Sequence, residues 1–303
     1  MTYEELLIET ALADERVIVM TAENRALVRN AAAALGGRFI DTGITEQTMV
    51  GMAAGLALRG RIPVVHALAP FLTMRAFEFI RTDVGIAHLP VKLSGYIPGF
   101  LSDGNGPTHQ SIEDVAIMRG IPGMEVYCPA DEDDLVRALP AIWASDAPAY
   151  VRINHKKGEY THAPFEAGRA EVIAEGGDLT ILTYGFLFGN ALTARQLLER
   201  EGLSTGLINM RSLKPVDEAA IVQAAKNSRM LVTLEDHLQT GGLYSIVAEV
   251  LLKYGVRVRT LPIALKERWF KPGLLPEVLD AEGFTPEKIA QKIYSSLNML
   301  YAE

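Results

Sequence analysis

AYVRINHKKGEYTHAPFEAGRAEVIAEGGDLTILTYG, residues 149–185, breaks a regular pattern and then restarts it. The stretch opens on AYVRIN, a β-branched and aromatic run that suits a buried strand. It passes through a polar, glycine-containing segment with no apolar period and ends on a second strand-like run, LTILTYG. Before the break, strand candidates are RVIVMT (16–21), RFIDTG (38–43), IPVVHAL (62–68), PVKLSG (90–95), MEVYCP (124–129) and AYVRIN (149–154). Helical patterns occupy 23–35, 45–58, 71–82 and 131–143 between them. After the break, LTILTYG (179–185), STGLINM (204–210), RMLVTLED (229–236) and VRVRTLPI (256–263) alternate with helical patterns at 188–201, 217–228, 241–254 and 285–300. Strands that alternate with helices imply crossover connections and mostly parallel sheets. The expectation is an α/β protein of two doubly wound domains, 1–155 and 177–303, joined by a linker over 156–176.

Composition narrows the functional classes. With 303 residues, 49% of them hydrophobic, the chain has ample material for two cores. A net charge of -8 argues against a nucleic-acid partner. No apolar run is long enough to span a bilayer. The acidic, amphipathic start MTYEELLIETALADE (1–15) does not read as a signal peptide. Cys128 stands alone, so neither a disulfide framework nor a thiolate metal site is expected. A cytoplasmic protein is the plain expectation.

DTGITEQTMVGMAAG (41–55) places Glu46 at a helix start, followed by Met49, Met52, Ala53 and Leu56 at helical spacing. A carboxylate in so apolar a setting must be paired, neutralised or used. Gly51, Ala54 and Gly55 recur on the same helix. Glycine inside a helix costs about 1 kcal/mol against alanine and is usually kept where another backbone comes close. Burial within the domain and a helix-on-helix contact between two chains both account for it.

A second unusual stretch is SDGNGPTHQSIED (102–114). Its glycines and proline impose a special backbone path, and a helix start follows at Ser111. His109 therefore lies between a strand end and a helix start, where α/β folds bind ligands. No phosphate loop, dinucleotide fingerprint, HExxH zinc motif or nucleophile elbow is present, so a self-contained nucleotide enzyme or zinc hydrolase is not expected.

GITEQ (43–47), GPTHQSIED (106–114), IPGMEVYCPADEDD (121–134) and PAYVRI (148–153), in this order, resemble the transketolase family of thiamine diphosphate enzymes. The resemblance implies a pyrimidine-binding domain followed by a transketolase C-terminal domain. The Gly-Asp-Gly motif that holds the diphosphate through Mg²⁺ occurs nowhere in the chain. The resemblance thus implies the second subunit of a split enzyme. A partner subunit would carry the pyrophosphate-binding domain and the metal ligands, in an α2β2 assembly acting on small sugars.

Residue roles carry over with the motifs. Glu46 matches the acid that gives a proton to the pyrimidine and so stabilises its imino form, a task suited to a carboxyl whose pKa burial raises. Ile44, Phe71, Arg75 and Phe77 match cofactor-binding positions. RAF (75–77) resembles the RAY of deoxyxylulose-phosphate synthase. His109 matches the histidine that serves the sugar and the reacting carbon. Arg152 matches an arginine that grips the substrate's phosphate, for which a guanidinium fork is apt. Asn105 and Asp103 are the remaining substrate candidates.

Three departures bear on the substrate. Asn105 stands where the family carries an aspartate, SGYIPG (94–99) lacks an expected histidine, and MTYEEL replaces an N-terminal Thr-Arg. They imply an anionic ketose other than xylulose 5-phosphate. The rival readings are the beta subunit of a 2-oxo-acid dehydrogenase, a deoxyxylulose-phosphate-synthase-like enzyme and a non-catalytic regulatory homologue. GPTHQ disfavours the first, and the intact Glu46 and His109 disfavour the last. In LEDHLQTGGLYSIVAE (234–249), Gly241 and Gly242 fit either an anion-binding helix start or a structural turn.

Overall fold

The computed structural model describes residues 1–23, 25–158 and 160–302, with the side chains of all but 103 and 298–302. Six strands of the N-terminal half form one parallel sheet: β1 (Val17–Thr21), β2 (Phe39–Asp41), β3 (Ile62–Leu68), β4 (Lys92–Tyr96), β5 (Glu125–Tyr127) and β6 (Ala149–Ile153). Their spatial order is β5-β6-β4-β3-β1-β2. The C-terminal half supplies β7 (Glu171–Ala174), β8 (Leu179–Thr183), β9 (Thr205–Asn209), β10 (Ser212–Lys214), β11 (Met230–Leu238) and β12 (Arg259–Leu265). The second sheet runs β12-β11-β8-β9-β7, with β7 antiparallel at its edge. Every residue of β1, β6, β8 and β9 is buried, as parallel strands covered on both faces require.

β10 belongs to the other sheet. It follows β9 in sequence, yet it crosses to β5 and pairs with it antiparallel, as the seventh strand of the first sheet. Lys214 then anchors the crossing by donating to the carbonyls of Arg119 (2.8 Å) and Ile121 (2.5 Å). Three residues are too few to show a period of two, so the sequence pattern carries no sign of this strand.

Two expected helices take other forms. In place of a helix over 23–35, only Ala31–Leu35 is α-helical; Asn24 lies outside the described residues. Side chains claim the backbone ahead of it: the Asp41 carboxylate accepts from Glu23 N and the Arg25 guanidinium, and Glu4 accepts from Asn30 N. The pattern over 71–82 becomes two π-helical turns, Phe71–Arg75 and Ile80–Gly85, around a short α-helical turn at Phe77–Phe79. Such turns recur at functional sites because they re-aim side chains within a helix. β7 lies inside the expected linker. The helix Tyr3–Ala13 begins with a capping box between Thr2 and Glu5. The Tyr3 hydroxyl meets His66 Nε2 at 2.7 Å and Ser94 Oγ at 3.2 Å, so the first helix is locked to β3 and β4. Burial lowers the His66 pKa to about 4.

The halves share a continuous core in which Tyr150 of β6 packs with Leu182 and Tyr184 of the second half. A buried ionic group ties them beside this core. His162 bonds Glu171 through Nδ1 (2.7 Å) and Asp131 through Nε2 (3.1 Å), while Arg211 Nη1 donates to Asp134 (2.9 Å). Asp134, His162 and Glu171 hold their ligand atoms within 4.8 Å of one another, a spacing a metal site would also show. Here Arg211, Asn209 and the His162 ring already engage these carboxylates, so the group reads as an ion-pair network.

Burial alone lowers the pKa of His162, but its bonds to Asp131 and Glu171 outweigh burial and lift it to about 9. A rise from 6.5 to about 9 corresponds to roughly 3 kcal/mol of preference for the charged ring. Because the folded pKa is raised, this stability is fully present below about pH 6.5 and is lost as pH climbs through about 9. Urea titrations of wild type and His162→Gln across that window are expected to converge as pH rises. The difference between the two curves isolates His162 from other groups titrating nearby. A gap that stays constant with pH would show that the folded ring is neutral.

Candidate active site

Glu46, Phe71 with Arg75, and His109 each follow the carboxyl end of a parallel strand: β2, β3 and β4 respectively. That edge is where open α/β sheets place their ligands. Glu46 opens the helix Glu46–Leu58 and is 2% exposed, with Met49 and Val50 fully buried beside it. Among the described residues its carboxylate bonds one side chain, Arg75, whose Nη1 donates to Oε2 at 3.0 Å. The Arg75 guanidinium lies 4.2 Å from the Phe71 ring centroid. Phe71 in turn meets His109 edge-to-face at 5.0 Å. Three separate segments thus join in one line of contact, Glu46–Arg75–Phe71–His109.

His109 is half-buried, and its Nδ1 lies 2.9 Å from the Thr108 hydroxyl. In the tautomer where that hydroxyl donates, the ring proton sits on Nε2, leaving a donor for a ligand. Asn105 is exposed, and its amide donates to the Ser102 carbonyl at 2.8 Å, bracing the loop from within. The side chain of Asp103 lies outside the described residues. Ile44 is 66% exposed at the mouth of the Glu46 helix. Phe77 packs as a partly buried ring on the underlying core.

Arg152 departs from the expectation of a phosphate fork. It is 2% exposed and already engaged: Nε donates to Asp114 (2.9 Å), Nη1 to Asp236 (2.6 Å) and Nη2 to the Ser111 carbonyl (3.2 Å). The guanidinium also lies 5.3 Å from the Tyr184 ring centroid. Two internal carboxylates fill the fork, so it joins the halves of the chain instead of facing a ligand.

The LEDH stretch has a related role, which its sequence left open. Glu235 accepts from the backbone N–H groups of Leu243 (2.6 Å) and Tyr244 (2.9 Å), capping the helix Leu243–Tyr254. The acceptor at this helix start is the chain's own carboxyl, so Gly241–Gly242 reads as a structural turn. A Cβ on Gly242 would fall 2.0 Å from the Glu235 carboxylate. Burial pushes the Glu235 carboxyl up to about 8. His237 Nε2 accepts from Ala116 N at 3.3 Å.

The helix that Glu46 opens leaves an apolar face bare. Met52 is 41% and Leu58 70% exposed, and a Cβ on Gly55 would meet nothing within 4 Å. Met74, Phe79 and Ile86 are also exposed, at 36%, 38% and 73%. Among the described residues, five of the surface pockets, of about 300 to 820 Å³, are lined by none of Glu46, Phe71, Arg75 and His109. No described helix is long and apolar enough to cross a membrane.

Comparison with known proteins agrees with the two-domain α/β fold. The family described as transketolase, pyrimidine binding domain, matches residues 1–160, and that described as transketolase, C-terminal domain, matches residues 168–289. The chain is 36% identical to the 6-deoxy-6-sulfo-D-fructose transketolase subunit SqwH of Clostridium sp. (strain MSTE9), covering 96% of this chain and 91% of that one. It is 34% identical to a putative transketolase C-terminal section of Methanocaldococcus jannaschii, over 97% of this chain and 95% of that one. A 1-deoxy-D-xylulose-5-phosphate synthase of Synechococcus sp. (strain CC9605) is 36% identical over 86% of this chain but only 41% of its own length. Among solved structures, a split gene transketolase described as an inactive beta4 tetramer superposes with a TM-score of 0.87 at 31% identity, over 98% of this chain and 96% of that one. The Campylobacter jejuni transketolase shares the fold at a TM-score of 0.80 and 19% identity, over 96% of this chain and 45% of its own. The chain belongs to the transketolase family, of which it comprises the pyrimidine-binding and C-terminal domains.

Proposed function

We propose that this chain is the pyrimidine-binding subunit of a two-chain, thiamine-diphosphate-dependent transketolase that moves a two-carbon ketol unit from an anionic ketose to an aldose. The observation that carries the reading is the line of contact from buried Glu46 through Arg75 and Phe71 to His109. Its members suit an aminopyrimidine: a buried carboxyl with one oxygen held by Arg75, and an aromatic face beside it. When bound, thiamine diphosphate supplies a thiazolium carbanion able to cleave a ketose. Glu46 holds a proton at the pyrimidine ring, Phe71 packs on that ring, and His109 presents Nε2 to a sugar hydroxyl.

A partner chain completes this site. No Gly-Asp-Gly motif exists to hold a diphosphate and Mg²⁺. The bare face around Met52, Gly55 and Leu58 gives a second chain a surface to cover. The likeness to a split gene transketolase supports the same arrangement. The purified chain alone is accordingly expected to bind thiamine diphosphate weakly. Tight, Mg²⁺-dependent binding by calorimetry without a partner would overturn the two-chain reading.

The deciding experiment is His109→Ala in the reconstituted complex. General acid–base groups contribute roughly 10²- to 10⁴-fold, so ketose cleavage is expected to fall by that order. Thiazolium proton exchange, read by quenched-flow NMR, is expected to stay within a few-fold of wild type. If exchange falls as far as turnover, His109 serves the cofactor and the assignment fails. Because Arg152 is engaged internally, the substrate's anion must find its cation elsewhere, and the partner is the proposed source. Specificity constants for xylulose 5-phosphate against other ketose phosphates and 6-deoxy-6-sulfo sugars test the substrate class.

A further inference from the structure

The loop that carries His109 leaves the N-terminal half and returns to it, but both its ends are buried in the other half. Phe100 and Ile112 belong to the core cluster of the C-terminal half, together with Leu179, Leu234 and Ile263. Phe100 meets the rings of Phe270 and Phe284 at 5.2 Å each. Between these anchors the chain closes on itself at a neck, where Gly99 N donates to the Ser111 carbonyl at 2.9 Å.

Residues of β11 grip that neck. Asp236 packs so closely on Gly99 that a Cβ there would fall 1.6 Å from its Oδ2. The other oxygen of Asp236 accepts from Arg152, which also donates to the Ser111 carbonyl. Leu238 N donates to the Ile112 carbonyl at 2.8 Å, and His237 Nε2 accepts from Ala116 N. Near the loop's tip, a Cβ on Gly106 would meet Pro272 at 3.1 Å.

From this we infer that the C-terminal domain is the positioning element for His109, with Asp236, through Arg152, and His237 closing the neck of its loop. The inference rests on the proposed role of His109 for its catalytic consequence, but the clamp itself is a property of the chain alone. Asp236, His237 and Arg152 are positioning residues, since none of them touches the Glu46–Phe71–His109 group directly.

Hydrogen exchange on the full chain, followed by mass spectrometry, tests the clamp. In Asp236→Ala, Arg152 keeps its bond to Asp114, so the guanidinium is not left without a partner. In Asp236→Ala, amides of residues 101–110 are expected to exchange at least about tenfold faster, while those of the helix Glu46–Leu58 keep their protection. Asp236→Asn keeps both the space and an acceptor for Arg152, and is expected to restore protection. Should Asp236→Ala not fold, His237→Ala reads the same neck. Unchanged loop protection, or loop and helix loosening together, would overturn the inference.

In the reconstituted complex, Asp236→Ala is expected to lower kcat for ketose cleavage at least about tenfold and to leave thiazolium exchange within a few-fold. A loosened loop with wild-type ketose turnover would support the clamp and overturn the proposed role of His109 instead.

Discussion

Glu46→Gln in the assembled enzyme is expected to slow proton exchange at the thiazolium carbon by roughly 10²- to 10⁴-fold, with ketose turnover falling in parallel. The amide occupies the same space, and its oxygen can still accept from Arg75, so folding and assembly should survive. What it lacks is a transferable proton. The position makes the loss severe, since Glu46 is 2% exposed and little water reaches its carboxylate. Quenched-flow NMR on the reconstituted complex reads the exchange, and sedimentation of the same sample reads assembly. Wild-type exchange in an assembled Glu46→Gln complex would remove Glu46 from the chemistry.

The second large effect is on stability. Arg152→Met would strand Asp114 and Asp236, both 1% exposed or less, without their cation. Breaking a buried pair by removing one partner costs about 3–5 kcal/mol. A loss of that size is a large part of a typical domain's total stability of about 5–15 kcal/mol. The variant is expected to unfold at much lower urea concentration. Adding Asp114→Asn and Asp236→Asn removes the stranded charges, so the triple variant should recover much of the deficit. A variant that instead kept full stability and raised KM only for anionic sugars would return Arg152 to the substrate.

This reversal shows where sequence reading reaches its limit. An arginine in AYVRI can offer its fork to a phosphate or to carboxylates of its own chain, and both use the same bidentate geometry. The choice depends on Asp114 and Asp236, which stand 38 and 84 positions away. Glu46 and His109 stood out as candidates because local signals marked them: an acid at an apolar helix start, and a histidine between loop glycines and a helix start. The strand–helix alternation was legible for a similar reason, since periodicity is a property of neighbours along the chain. Phe71 and Phe77 carried equal sequence signals. A π-helical turn, which neither periodicity nor composition reveals, brings Phe71 against Arg75 and His109 and leaves Phe77 on the core. The roles of Glu235 and His237 stayed open because they cap backbone groups, Leu243 N and Ala116 N, and a sequence cannot show which side chain will cap them.

β10 has a bearing on where this polypeptide can be divided. A cut within 156–176 looks natural from the family boundaries, 1–160 and 168–289. Yet it would strip β5 of its neighbour at the sheet margin and leave a row of backbone donors and acceptors open to a foreign strand. An N-terminal fragment made that way invites self-association through the vacated margin. The C-terminal fragment would carry Ser212–Lys214 with no sheet to join. A division that respects this hydrogen bonding keeps Ser212–Lys214 with β5, so the stretch from β1 to β12 holds together as one unit even though it forms two sheets.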